Sequence, residues 1–146
     1  SDFAVTFTSE PTVEAFEVVT TDGKILKGTR AELHDRASFQ RVEVVPMPRG
    51  FADTATRESA ISHLREYAFH NGINSPEFTF EVSPLGPCAS MRGTKVLDDA
   101  GTQRAVTFQA VAYYGDSSLF GVYVGALSRD YPQASIVAFL RSVRKK

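Results

Sequence analysis

The stretch from Arg104 to Arg144 constrains the fold most. Val106, Phe108, Ala110, Ala112 and Tyr114 alternate with more polar neighbours, the period of a strand with one buried face. Gly115-Asp116-Ser117-Ser118 reads as a turn, and Leu119 to Leu127 as the returning strand. Ile136, Phe139, Leu140 and Val143 then fall at i, i+3, i+4 and i+7, the apolar stripe of an amphipathic helix. Such a helix must lie on a sheet to remove its stripe from water. Asp130 is the expected N-cap and Pro132 sits near its first turn.

The preceding chain supplies the other strands. Asp2 to Thr8 alternates, with Phe3, Val5 and Phe7 on one face, until Ser9-Glu10-Pro11 ends the ladder. Val13 to Thr20 and Lys24 to Leu33 flank Asp22-Gly23, a strong hairpin signal because a tight primed turn needs positive φ. Gly28 weakens the middle of the second strand, and His34-Asp35-Arg36 connects it to another over Phe39 to Val45. After the breaker Pro46-Met47-Pro48-Arg49-Gly50, Asp53 or Thr54 is the expected cap of a helix. Its stripe is Ala60, Ile61, Leu64, Tyr67 and Ala68, and Gly72 takes the left-handed C′ position. Phe78, Phe80 and Val82 mark a further strand, Pro84-Leu85-Gly86-Pro87 a rigid loop, and Cys88 to Leu97 a strand of poor pattern before a turn at Asp98-Asp99-Ala100-Gly101.

The expected order is therefore ββββ-α-ββββ-α in a single domain spanning 1–146, an α+β chain with a mainly antiparallel sheet. At 146 residues, 42% apolar and 23% charged, it can build a core of its own. A net charge of −1 with scattered basic residues gives no nucleic-acid surface. The basic cluster Arg141, Arg144, Lys145 and Lys146 suits the C-terminus of the last helix. No run reaches the length of a membrane-spanning helix. One cysteine, Cys88, excludes an intrachain disulfide. Ser1 in place of Met is what a cleaved signal peptide or a trimmed start would leave.

Both ends of the chain resemble one family. Phe3-Ala4-Val5-Thr6-Phe7 followed by Pro11 resembles the opening strand of PsbP-like domains, and Ala138-Phe139-Leu140-Arg141-Ser142-Val143-Arg144 resembles their closing helix. Val143 stands where that helix often carries Phe, and Thr8-Ser9-Glu10 replaces the usual Phe-Pro before the first turn. The resemblance implies an α/β/α sandwich around a central antiparallel sheet. Its members include a photosystem II extrinsic subunit, a Ran-binding nuclear factor and bacterial exported proteins. Most act by binding other proteins, and no shared catalytic set comes with the fold. It implies an exported, periplasmic bacterial protein; the alternative compartment is the cytoplasm.

No catalytic motif stands out, so the expected function is non-enzymatic, with no cofactor and no metal. His63, Glu66 and His70 share one line of a helix, but the two histidines lie about 10 Å apart along the axis. Cys88 has no adjacent base to activate it. Gly115-Asp116-Ser117-Ser118-Leu119 lacks the second glycine of a nucleophile elbow and joins strand to strand. His34 with Asp35 is the remaining pair from which an enzyme site could be assembled. Recognition is expected instead at the proline-bearing loops, through Met47, Arg49, Phe51 and Leu85, or at a sheet edge, with another protein as partner. Tyr113, Tyr114, Tyr123 and Tyr131 suit either a contact surface or the core. The alternative is a small apolar ligand held between sheet and helix, where Ala110, Ala112, Gly121 and Gly125 leave space.

Overall fold

The computed structural model describes residues 2–20, 22–35 and 38–146. In chain order it contains β1 (Phe3–Ala4), β2 (Thr12–Val19), β3 (Ile25–His34), β4 (Ser38–Pro46), α1 (Arg57–His70), β5 (Asn74–Ser83), β6 (Gly86–Asp99), β7 (Thr102–Tyr114), β8 (Ser118–Leu127), α2 (Ala134–Arg141) and β9 (Arg144–Lys145). Short 3₁₀ turns at Phe51–Thr54 and Ser128–Asp130 lead into the two helices. Seven strands form one sheet in the order β2-β3-β4-β8-β7-β6-β5, with every neighbouring pair antiparallel. The chain is thus α+β and mostly sheet. Insertion of β8 between β4 and β7 leaves β2 and β5 as the edges.

Strand alternation puts a core on each side of the sheet. On one side Ala60, Leu64 and Ala68 of α1 pack against Ala89, Met91, Ala110, Ala112 and Tyr123. The small residues of β6 and β7 let the helix approach closely, and Leu64 is fully buried, contributing about 1.5–3 kcal/mol of transfer energy. On the other side Ile136, Phe139 and Val143 meet Phe3, Val42, Phe120, Val122 and Val124. Phe120, Val122 and Val124 thus face α2, whereas Leu119 and Tyr123 of the same strand face α1.

Several expectations need correction. Of the strand expected over Asp2 to Thr8, only Phe3 and Ala4 pair, opposite Lys145 and Arg144. Val5 and Phe7 still pack inward, Phe7 with its ring 4.9 Å from Phe139, so the alternation came from core contact more than from a ladder. Of the basic cluster only Arg141 is helical, in the last turn of α2; Arg144 and Lys145 belong to β9, from which the Arg144 guanidinium donates to the Ser142 carbonyl at the C-cap of α2 at 3.0 Å. Thr56 caps α1, not Asp53 or Thr54; it exchanges bonds with Ser59 in a capping box, while Asp53 and Thr54 lie in the preceding 3₁₀ turn. Asp130 likewise sits in a 3₁₀ turn, and Gln133 occupies the N-cap of α2. Gly72 does end α1 at φ 65°. Ser83 and Gly86 close a tight hairpin where a loop was expected, and β6 is longer than its pattern suggested. Ser1 and Arg36 lie outside the described residues.

Candidate functional site

The edge strand β2 is the surface the fold leaves most open. Its phase is fixed at the Asp22-Gly23 turn, where the Thr20 N–H donates to the Lys24 carbonyl at 2.8 Å and Gly23 takes φ 83°. Thr20 and Lys24 are therefore a hydrogen-bonded pair, and the antiparallel alternation carries this phase back along the strand. Glu14, Phe16 and Val18 turn their backbone groups towards β3, while Val13, Ala15, Glu17 and Val19 turn theirs away from it. Val13, Val19 and Ile25 are 63%, 69% and 59% exposed. The register with β3 runs unbroken from Thr12↔Glu32 to Val19↔Ile25.

Native edges are usually blunted by bulges, prolines or lysines, because an open edge is a template for another strand. The β5 edge is blunted at its start: its register shifts between Asn74 and Glu77, Pro76 lies in the shift, and Ser75 has φ 50°, although from Glu77 to Ser83 the pairing is regular and Val82 is 75% exposed. β2 has no proline, lysine or bulge, and Glu14 and Glu17 are its only charges. Gly28 faces Phe16 across the pair, and a Cβ there would stand 2.6 Å from Phe16 Cε1 and 2.8 Å from the Val44 carbonyl oxygen. The glycine is thus a seat for the Phe16 ring, over which the Arg30 guanidinium lies at 4.7 Å.

Inboard of β2 runs a ladder of charge that the sequence alone did not reveal. Arg30 contacts Glu14 and Glu43, each at 3.3 Å, and Arg41 contacts Glu43 at 3.8 Å and also Glu32. Glu32 in turn meets His34 at 3.2 Å. These residues share the sheet face on which α1 lies over β5, β6 and β7. Burial pushes the Glu32 carboxyl up, but the hydrogen bonds and charges of His34 and Arg41 outweigh it and hold the group below its ordinary value.

The two proline-bearing loops come to the same end of the sheet. Ala52 and Leu85 line one cleft of about 370 Å³ with Asp2, Tyr114, Asp116 and Lys145. The β7–β8 turn ties the first loop down: Met47 N–H donates to Ser117 O at 2.9 Å, and Gly50 N–H donates to Asp116 Oδ1 at 3.1 Å. Phe51 stacks on Tyr114 with centroids 5.2 Å apart, and Leu85 packs against the α2-side core. Met47, Phe51 and Leu85 are half-buried, while Arg49 is exposed, with Nε 3.8 Å from Asp116. Tyr114 and Tyr123 are core residues, and Tyr113 and Tyr131 are half-buried beside the α2-side core.

The space expected between sheet and helix is filled. Ala110 and Ala112 are buried under α1, Tyr123 lies over Gly121, and the Phe39 ring covers Gly125. A groove of about 540 Å³ lies further along the sheet, floored by Phe39, Val106, Phe108 and Leu127 and rimmed by His34 and Arg104.

The chemically suggestive residues lie apart. Loss of solvation lowers the His63 pKa, against the pull of Glu66 and Glu43. Among the described residues no three His, Cys, Asp or Glu side chains converge as a metal site would require. Cys88 is buried, and desolvation and Glu81 push its thiol up, away from the reactive thiolate. Ser117 and Ser118 hold the Asp2 carboxylate at 3.0 Å (backbone N–H) and 2.8 Å (Oγ–H), so the Gly115 turn is a structural clasp. His34 bonds Glu32, whereas Asp35 accepts from the Ser38 N–H at 2.8 Å. Among the described residues no helix is long and apolar enough to cross a membrane.

Comparison of the chain with protein-family models, with curated proteins and with solved structures returns no match.

Proposed function

We propose that this chain is a non-catalytic protein-interaction module, exported from a bacterial cell, that binds another protein by extending its sheet at β2. The supporting observation is the contrast between the two edges: β5 is interrupted at its start by a bulge with Pro76, whereas β2 pairs without a break along its whole length and carries neither bulge nor proline. The PsbP-like resemblance favours the same reading, with the helices on opposite sheet faces forming an α/β/α sandwich in the order ββββ-α-ββββ-α, closed by the small β1–β9 pair. The end of the sheet carrying Met47, Arg49, Phe51 and Leu85 is a second contact surface, offering Arg49 and the rim of the 370 Å³ cleft.

The test is affinity capture from fractionated extract of the source organism with three baits. Ala15→Pro removes an outward N–H without touching the β2–β3 bonds. Met47→Asp with Phe51→Asp alters the loop end. A partner lost with Ala15→Pro and kept by the loop variant supports the edge, and the reverse places the surface at the loops. A partner retained by both variants refutes the reading.

A second reading has its own observation, the 540 Å³ groove with an aromatic floor at Phe39 and Phe108. It makes the protein a carrier of a small apolar ligand. Native mass spectrometry of the purified protein would then show a retained small molecule that Gly125→Leu abolishes. An unliganded mass from native expression tells against it.

A further inference from the structure

We propose that the strand that completes the β2 edge is β2 of a second copy of this chain, paired antiparallel across a two-fold axis through Phe16. The inference rests on the edge reading above and names its occupant.

Register selects this pairing. The outward backbone groups of β2 belong to Val13, Ala15, Glu17 and Val19, so only registers that set these residues opposite one another let both strands bond. An axis through Glu14 or Glu17 brings identical carboxylates face to face, which is destabilising. An axis through Ala15 sets Val13 against Glu17 and Val19 against Pro11, which has no N–H to give. An axis through Phe16 avoids each fault and, unlike one through Val13, Val18 or Val19, pairs all four outward residues with one another inside the strand. Val13 then faces Val19 of the second copy, and Ala15 faces Glu17. Both pairs occur twice and exchange about eight backbone bonds. Between them Phe16 meets Phe16, beside the Arg30 already seated over its ring. Glu14 faces Val18 on one side of the sheet and Glu17 faces Ala15 on the other, so no carboxylates oppose. The valines that stand 63% and 69% exposed become cross-strand partners. Such an interface falls at the low end of specific association, below about 1,200 Å².

Sedimentation velocity is run from about 1 to about 300 μM, because small specific interfaces with few anchors fall at the micromolar end. The mass is expected to rise from 16.0 kDa towards twice that value, and Ala15→Pro, with an unchanged melting curve, is expected to stay at 16.0 kDa. Register is read by cysteine trapping in a Cys88→Ala background. Two Phe16→Cys residues would face each other as a non-hydrogen-bonded pair about 4.5 Å apart at Cα, within disulfide reach. Phe16→Cys is expected to crosslink to dimer under mild oxidation, and Glu14→Cys, which faces Val18, is not. Equal crosslinking of the two, or a dimer that survives Ala15→Pro, overturns the inference. A wild-type chain monomeric throughout the range also overturns it; if Ala15→Pro nonetheless loses a foreign partner in the capture experiment, the edge reading stands without the second copy.

Discussion

Replacing Phe3 by Ala tests whether the chain's two ends hold the α2-side core closed. The Phe3 ring is 1% exposed and touches Tyr113 and Phe120 at centroid distances of 5.6 and 5.5 Å. Full burial of such a ring contributes about 1.5–3 kcal/mol, and each aromatic contact adds about 0.5–1.5 kcal/mol. These contributions overlap, and Phe→Ala substitutions in cores cost about 3–5 kcal/mol once the cavity is included. We expect that loss, set against a total stability of about 5–15 kcal/mol. The control is Phe69→Ala: Phe69 lies on α1 and is 80% exposed. Its loss should move stability by no more than about 0.5 kcal/mol, and the helix propensity of Ala pushes it upward. Urea unfolding followed by far-UV circular dichroism measures both, with equal slopes as the condition for comparison. A cost below about 1 kcal/mol for Phe3→Ala, or equal costs for the two, would refute the packing account.

Three further expectations follow from particular contacts. Thr56→Ala should cost about 0.5–2 kcal/mol in the same assay, because Thr56 Oγ accepts the Ser59 N–H at 3.1 Å in the capping box; no measurable change would mean that the box is not formed in solution. The Asp2 clasp should fail in acid. The Ser117 N–H, with help from both serine hydroxyls, holds the Asp2 carboxyl below its ordinary 3.8 against a smaller opposing effect of burial. Its stabilisation is therefore present above that value and lost as pH falls through it towards the native pKa. The melting-temperature gap between wild type and Asp2→Asn should be open at neutral pH and close below about pH 4, and a gap independent of pH would remove the clasp. Cys88 should react with a thiol reagent at the rate of unfolding, given its burial and raised pKa; rapid labelling of the native protein would contradict that placement.

Much of the fold was legible because local chemistry and tertiary packing agree. The β7–β8 hairpin, the stripe of α1, the Gly72 stop and the Asp22-Gly23 hairpin stand where their patterns put them. The misreadings share a cause. Phe3, Val5 and Phe7 alternate because one side of an almost unpaired segment touches α2, and alternation alone does not reveal a ladder. Thr56-Arg57-Glu58-Ser59 does not read as a capping box in the sequence because its N3 partner is Ser in place of the usual Glu or Gln. β6 reads poorly because it is an inner strand with small residues on one face, Ala89 buried beneath α1 and Gly93 crowded by Ile73. The open edge was not legible: β2 looks like any alternating strand until the sheet order places it outermost. The ladder from Glu14 to His34 was hidden for the same reason, since its members meet only through the register of β2, β3 and β4.

Residue-resolved amide hydrogen exchange by NMR tests the central claim most directly. In the dilute protein alone, the β2 amides should alternate: Glu14, Phe16 and Val18 protected by β3, and Val13, Ala15, Glu17 and Val19 exchanging freely. At high protein concentration, or with a captured partner at saturation, those four should become protected together while the β5 edge stays as it was. Free exchange of the four amides under every condition, or new protection confined to the loops around Arg49 and Leu85, would show that β2 is not the binding edge.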